Sequence, residues 1–263
     1  RGSRRDLRRS SSGGRSSPHA RGGGPCQGAR RATPPSTSGD KTKWSQSGDP
    51  IDTKSFDDAI GRGVEWIEGL QSKDGGFAAF DADNLEYYLN NIPFSDHGAL
   101  LDPPTEDVTA RCVSMLAQLG ETVQTSAPLA RGVEYLGRTQ LADGSWFGRW
   151  GTNYVYGTWS VLNALNAIGE DLQAPYIRKA VDWLKERQRE DGGWGEDGGT
   201  YWQETKDLAK SSTASQTAWA VLGLMAAGDV HSDATRRGIE YLLKAPRKGG
   251  EWDEAWHTAV GFP

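Results

Sequence analysis

The 263-residue chain is poor in the residues that would tie it together covalently or anchor it in a bilayer. It has two cysteines, Cys26 and Cys112, too few for a disulfide framework. Cys112 lies in an apolar helical run and reads as a reduced core residue. No apolar run reaches the roughly 18 residues that a bilayer-spanning helix needs. The start of the chain lacks the apolar stretch of a signal peptide. Its Arg- and Ser-rich, acid-poor composition touches that of an organelle transit peptide, but it has neither an initiator methionine nor an amphipathic run. Residues 1–50 are nearly free of large apolar side chains, and Trp44 is their only aromatic. Such a segment buries too little apolar surface to offset its ordering entropy, so 1–50 is expected to be a disordered tail.

Charge is also divided unevenly. Residues 1–50 carry nine Arg and two Lys against three Asp, a balance of +8, while the whole chain is −5, which leaves −13 on residues 51–263. An acidic body lacks the basic face of a nucleic-acid binder, so no nucleic acid is expected as partner. Ten of the eleven Trp fall in this body.

What the body does have is repetition. RGVEWIEGLQSKDGGF (62–77), RGVEYLGRTQLADGSW (131–146), KAVDWLKERQREDGGW (179–194) and RGIEYLLKAPRKGGEW (237–252) share one template without gaps. Each starts with apolar residues at helical spacing, such as Val64, Ile67 and Leu70. The first three then stop at an Asp-Gly turn, where glycine tolerates positive φ. Between the windows lie VTARCVSMLAQLG (108–120), GTWSVLNALNAIG (157–169) and SQTAWAVLGLMAAG (215–228). These are apolar around most of their circumference and end on glycine, so they are expected to be buried on several sides. A charged outer helix alternating with an apolar inner helix predicts an all-α fold, an α/α toroid of repeats that cannot bury their apolar faces alone. The expected domain is a partial α/α barrel over 51–263.

Gln71, Gln140 and Gln188, with Phe77, Trp146, Trp194 and Trp252, read as a structural clamp. The glutamine is expected to hydrogen-bond orphan carbonyls at the helix end, and the aromatic to stack there. The last copy has Pro246 in place of the glutamine and should grip less firmly.

Together the Q…DGGW/F repeats, GGFAAFDADN (75–84), NNIPFSDHGALLDPPTEDVTARCVSMLAQLG (90–120), DGSWFGRWGTNYVYGTW (143–159) and WHTAVGFP (256–263) resemble the bacterial squalene–hopene cyclases, class II triterpene cyclases. The resemblance covers about 56–263. It implies carbocationic cyclisation of squalene or a related polyprene, started by an aspartic acid of a D-x-D-D motif in an aromatic-lined cavity, with no metal and no redox cofactor. It also implies peripheral membrane attachment, through a surface belonging to the missing part, and leaves room for a homodimer. Aromatic faces suit this chemistry because they stabilise a cation without trapping it as a nucleophile would.

By resemblance, Phe80, Trp150, Tyr156 and Phe262 fall at cavity aromatics, with core packing as the alternative for each. Asp107 and Arg111 lie one helical turn apart, which suits an ordinary ion pair. By resemblance they instead hold and tune the catalytic acid. DADN (81–84) is not the acid motif, since it ends in Asn84, and its carboxylates read as local caps. No D-x-D-D occurs in the 263 residues. The chain therefore reads as a C-terminal-half fragment that is inactive alone. Three other readings remain: a protein prenyltransferase β-subunit, which needs a zinc site; a toroidal glycosidase, which needs paired carboxylates; and a non-catalytic helical-repeat binding protein.

Overall fold

A computed structural model describes residues 53–92, 100–202, 211–244, 246, 249–254 and 257–258. The expected tail at 1–50, with Cys26, and the expected cavity residue Phe262 lie outside them. The described residues form seven α-helices: α1 (Thr53–Gly69), α2 (Glu106–Gln118), α3 (Ala127–Thr139), α4 (Tyr154–Ala167), α5 (Pro175–Glu186), α6 (Ala214–Ala226) and α7 (Asp233–Lys244). Two short 3-10 turns, Tyr87–Asn91 and Gly198–Tyr201, interrupt the loops. Among the described residues, β-pairing is limited to isolated bridges such as Trp194 with Thr213.

The apolar helices α2, α4 and α6 lie side by side, and the charged helices buttress them: α3 against α2, α5 against α4 and α6, α7 against α6. This is the expected alternation of inner and outer helices. Gly120, Gly169 and Gly228 end the inner helices at φ of +99°, +75° and +79°, conformations that favour glycine. Outer helices start on local signals: the Ser126 side chain caps α3 at Leu129 N–H, and proline opens both α3 and α5. The core runs between the layers through Val113, Leu116, Leu136, Leu162, Leu184 and Leu224. Helix α1 stands apart, with Phe56, Ile60 and Trp66 more than 45% exposed. Its register was legible, but its apolar face finds little to pack on among the described residues.

The clamp ties each repeat to its neighbour, as the motif implies, but through other carbonyls than the orphan ones at the helix end. Each glutamine bonds the carbonyl of its own turn glycine and that of the second residue of the next outer helix, not the end of its own helix. Gln71 Nε2 donates to Gly75 and Pro128, Gln140 Nε2 to Gly144 and Tyr176, and Gln188 Nε2 to Gly192 and Ala234, all at 2.8–2.9 Å. The indole serves the orphan carbonyl instead: Trp146 Nε1 donates to Leu136 at 2.8 Å and Trp194 Nε1 to Leu184 at 2.7 Å, in the last turns of α3 and α5. Phe77, without an N–H, is simply buried. The weaker fourth copy is as expected. Pro246 has no amide to donate, Trp252 is 46% exposed, and its bond to Leu242 lengthens to 3.1 Å.

One further repeat was missed. Thr109, Thr158 and Thr217 stand at the same register of the three inner helices. Each Oγ1 accepts the backbone N–H of a clamp aromatic, Phe77, Trp146 or Trp194, at 2.9–3.0 Å.

Candidate active site

The expected site residues that are described come from the first two turns of α2, the first turn of α4 and the loops that follow the first two clamps. Asp107 sits in the first turn of α2, where a carboxylate is favoured by the helix dipole. It is 1% exposed. Its Oδ2 accepts the Trp150 backbone N–H at 2.8 Å, and its Oδ1 is buried with no hydrogen-bond partner among the described residues. An unsatisfied buried carboxylate oxygen is costly, and so marks a place where another donor belongs.

Asp107 and Arg111 do not form the ion pair their spacing allows. Arg111 instead lies over Trp159, with its guanidinium carbon 4.8 Å from the ring centroid. Trp159 in turn stacks on Trp219 of α6, at 6.0 Å and 10° between planes. Tyr156 packs against both indoles, at 5.7 and 4.9 Å. Burial pushes the Tyr156 phenol up; the Asp107 charge adds to this, and the nearby Arg111 guanidinium opposes it. Phe80 meets Trp150 edge to face at 5.7 Å. The structure thus gathers Asp107, Trp150 and Phe80 through one set of contacts and Arg111 and Tyr156 through another. Phe80 is 68% exposed in this chain.

Loops of this kind need fixing, and buried polar groups do it. Asp102, 5% exposed, accepts the N–H groups of Ala79, Phe80 and Asp81. Glu196 accepts those of Asn153 and Val155, at the start of α4. Fully buried Gln216 donates to the carbonyls of Thr152 and Glu196, and accepts from Glu196 N–H and Thr213. Sequence reasoning overlooked Asp102, Glu196, Gln216, Trp159 and Trp219. A signal existed for Gln216, the one amide side chain in the mostly apolar α6. The DADN carboxylates do serve local structure: Asp83 accepts Lys73 N–H, and Asp81 accepts from Asn84. Cys112 is a half-buried free thiol that burial pushes up to about 12.

These residues lie within a stretch with clear relatives. Residues 46–263 match the family description Squalene-hopene cyclase C-terminal domain. The chain belongs to the squalene–hopene cyclase family. It is 64% identical over 212 residues to a probable squalene–hopene cyclase of Sinorhizobium fredii, covering 80% of this chain and 33% of that protein. It is 65% identical over 209 residues to the squalene–hopene cyclase of Bradyrhizobium diazoefficiens, covering 79% of this chain and 32% of that protein. The chain thus spans about a third of the length of these relatives. A type II terpene cyclase from Scytonema, solved with geranylgeranyl dihydroxybenzoate, shares the fold at a TM-score of 0.56 and 20% identity, over 76% of this chain and 52% of that one. The prenyltransferase and glycosidase readings gain no support from these relatives. Among the described residues, no group of three or more His, Cys, Asp or Glu could hold a metal ion.

Proposed function

We propose that residues 53–263 form the C-terminal part of the reaction cavity of a squalene–hopene cyclase. The observation that carries this is the buried Asp107 carboxylate, half-satisfied by Trp150 N–H, with Phe80 against the Trp150 ring and the Tyr156 phenol close enough to feel its charge. A protonated carboxyl from the remainder of the enzyme completes the free Oδ1, and Arg111 keeps neighbouring carboxylates ionised while one member of the group holds the proton. Delivered to a terminal alkene of squalene or a related polyprene, that proton starts the ring closures. Phe80, Trp150 and Tyr156 then offer π faces to the migrating cation, a stabilisation of about 2 kcal/mol each when desolvated. Phe262 belongs to the same wall in this reading.

Membrane attachment belongs to the complete enzyme; no helix among the described residues is long and apolar enough to cross a bilayer. The chain as given carries no D-x-D-D acid and is inactive alone. The test is to join residues 53–263 to the N-terminal two-thirds of the Sinorhizobium relative, incubate the product with squalene, and analyse the lipids by gas chromatography. Pentacyclic product from the joined protein and none from the 263-residue chain is expected. Product from the chain alone, or none from the joined protein, would count against this reading.

A further inference from the structure

Trp159 and Trp219 belong neither to a clamp nor to the repeat template. The three threonines that hold the clamp aromatics fix the register of the inner helices. One residue after each stand Ala110, Trp159 and Ala218; two residues after stand Arg111, Ser160 and Trp219. The repeat is thus broken by three large side chains, Arg111, Trp159 and Trp219, and these three stack on one another. A departure from an otherwise consistent pattern, concentrated in one place, is where function is to be sought.

Arg111 also differs from Arg138, the other arginine that lies over an aromatic ring near the start of the repeats. Arg138 lies over Tyr135 but is tied to Asp74 as well, by an ion pair and a bond to its carbonyl. Arg111 makes no ion pair among the described residues, and it is the Trp159 face that holds it, with the Tyr156 ring packed against the same indole. Stacking occupies the flat face of a guanidinium and leaves its in-plane N–H donors free for a carboxylate or a phenol. An exposed arginine on a helix otherwise samples many rotamers.

The geometry points to Trp159, backed by Trp219, as a positioning residue that holds the Arg111 guanidinium edge-on toward the Asp107 and Tyr156 end of the site. The indoles act through Arg111 and do not touch the reacting atoms. This role rests on the cyclase reading above.

The test uses the joined cyclase and the variants Trp159→Leu, Trp159→Phe, Arg111→Ala and the Arg111→Ala/Trp159→Leu double. Trp159→Leu is expected to lower kcat about tenfold with KM changed less than about twofold, and to shift the pH profile of kcat. Trp159→Phe, which keeps a π face, should restore most of the rate. The double variant should be no slower than Arg111→Ala alone, since both changes remove one interaction. Where the leucine variant does not fold, Arg111→Lys carries the test, because an ammonium cannot stack flat; it should lose activity as Arg111→Ala does. Additive penalties in the double variant would overturn the positioning role. So would a Trp159→Leu protein that loses thermal stability alone, or Arg111→Lys at full rate. A wild-type joined protein that forms no cyclised product would instead remove the cyclase reading, and this role with it.

Discussion

Glu106 stands beside Asp107 at the start of α2, and burial pushes its carboxyl up to about 7 from 4.5, with the Asp107 charge adding to the rise. The folded state therefore holds a proton that the unfolded chain has already released. Stability should fall as pH rises from about 4.5 to 7 and then level off. Glu106→Gln removes this penalty. In urea denaturation at pH 5 and pH 8, the wild-type protein should lose roughly 1–3 kcal/mol more than the variant between the two values. Equal pH dependence of the two proteins would refute this. Asp107 is a separate case. Asp107→Asn keeps an oxygen for Trp150 N–H but no charge, so the joined cyclase should lose more than about 100-fold in kcat while its circular dichroism is unchanged. Arg111→Ala should likewise abolish most turnover without unfolding it. A folded Asp107→Asn protein with near wild-type turnover would rule out its support of the acid.

Between elements, stability is carried by the clamps and their turn glycines. Trp194 is fully buried and bonded at its indole, so Trp194→Ala should cost about 3–5 kcal/mol. Trp252→Ala should cost no more than about 1 kcal/mol, because that ring is already half in solvent. Paired denaturation curves check the difference, and equal losses would mean the fourth clamp is as tight as the third. Gly192 has φ of +90°, and a Cβ there would meet the Arg237 carbonyl at 2.7 Å. Gly192→Ala is thus expected to part α7 from the preceding turn and to lower the thermal midpoint, whereas Gly198→Ala, with open space around it, should not. The repeat made these clamps visible in the sequence, since an aromatic at fixed spacing from an Asp-Gly turn is a local pattern. The glutamine's partner was not visible, because the carbonyls of Pro128, Tyr176 and Ala234 lie 36 to 57 residues away.

At the scale of the molecule, the described residues place three inner helices in a row and four outer ones, a segment of a toroid. Helix α1 presents Phe56, Ile60 and Trp66 to solvent, a face that repeat packing would give to an inner helix. Joining the N-terminal two-thirds of the Sinorhizobium relative should bury it. Trp66 fluorescence, isolated in variants with other exposed Trp removed, is then expected to shift to shorter wavelength in the joined protein relative to the 263-residue chain. An unchanged emission maximum would mean that this face stays in water.

Periodicity alone determined the layering, because helices with one apolar stripe and helices apolar all round can be satisfied together only as outer and inner rows. Glycine positions and clamp aromatics were equally local, and the resemblance supplied Asp107, Arg111, Trp150, Tyr156 and Phe80 as candidates. Tertiary structure decided what these residues touch. Asp107 and Arg111 share a helix face yet turn to different partners, because a backbone N–H from the next repeat reaches one and the Trp159 ring reaches the other. Asp102, Glu196 and Gln216 acquire their roles from loops that come close only when the repeats stack. Spacing along the chain sets which side chains can face the same way, whereas packing of distant segments sets which of them find a partner.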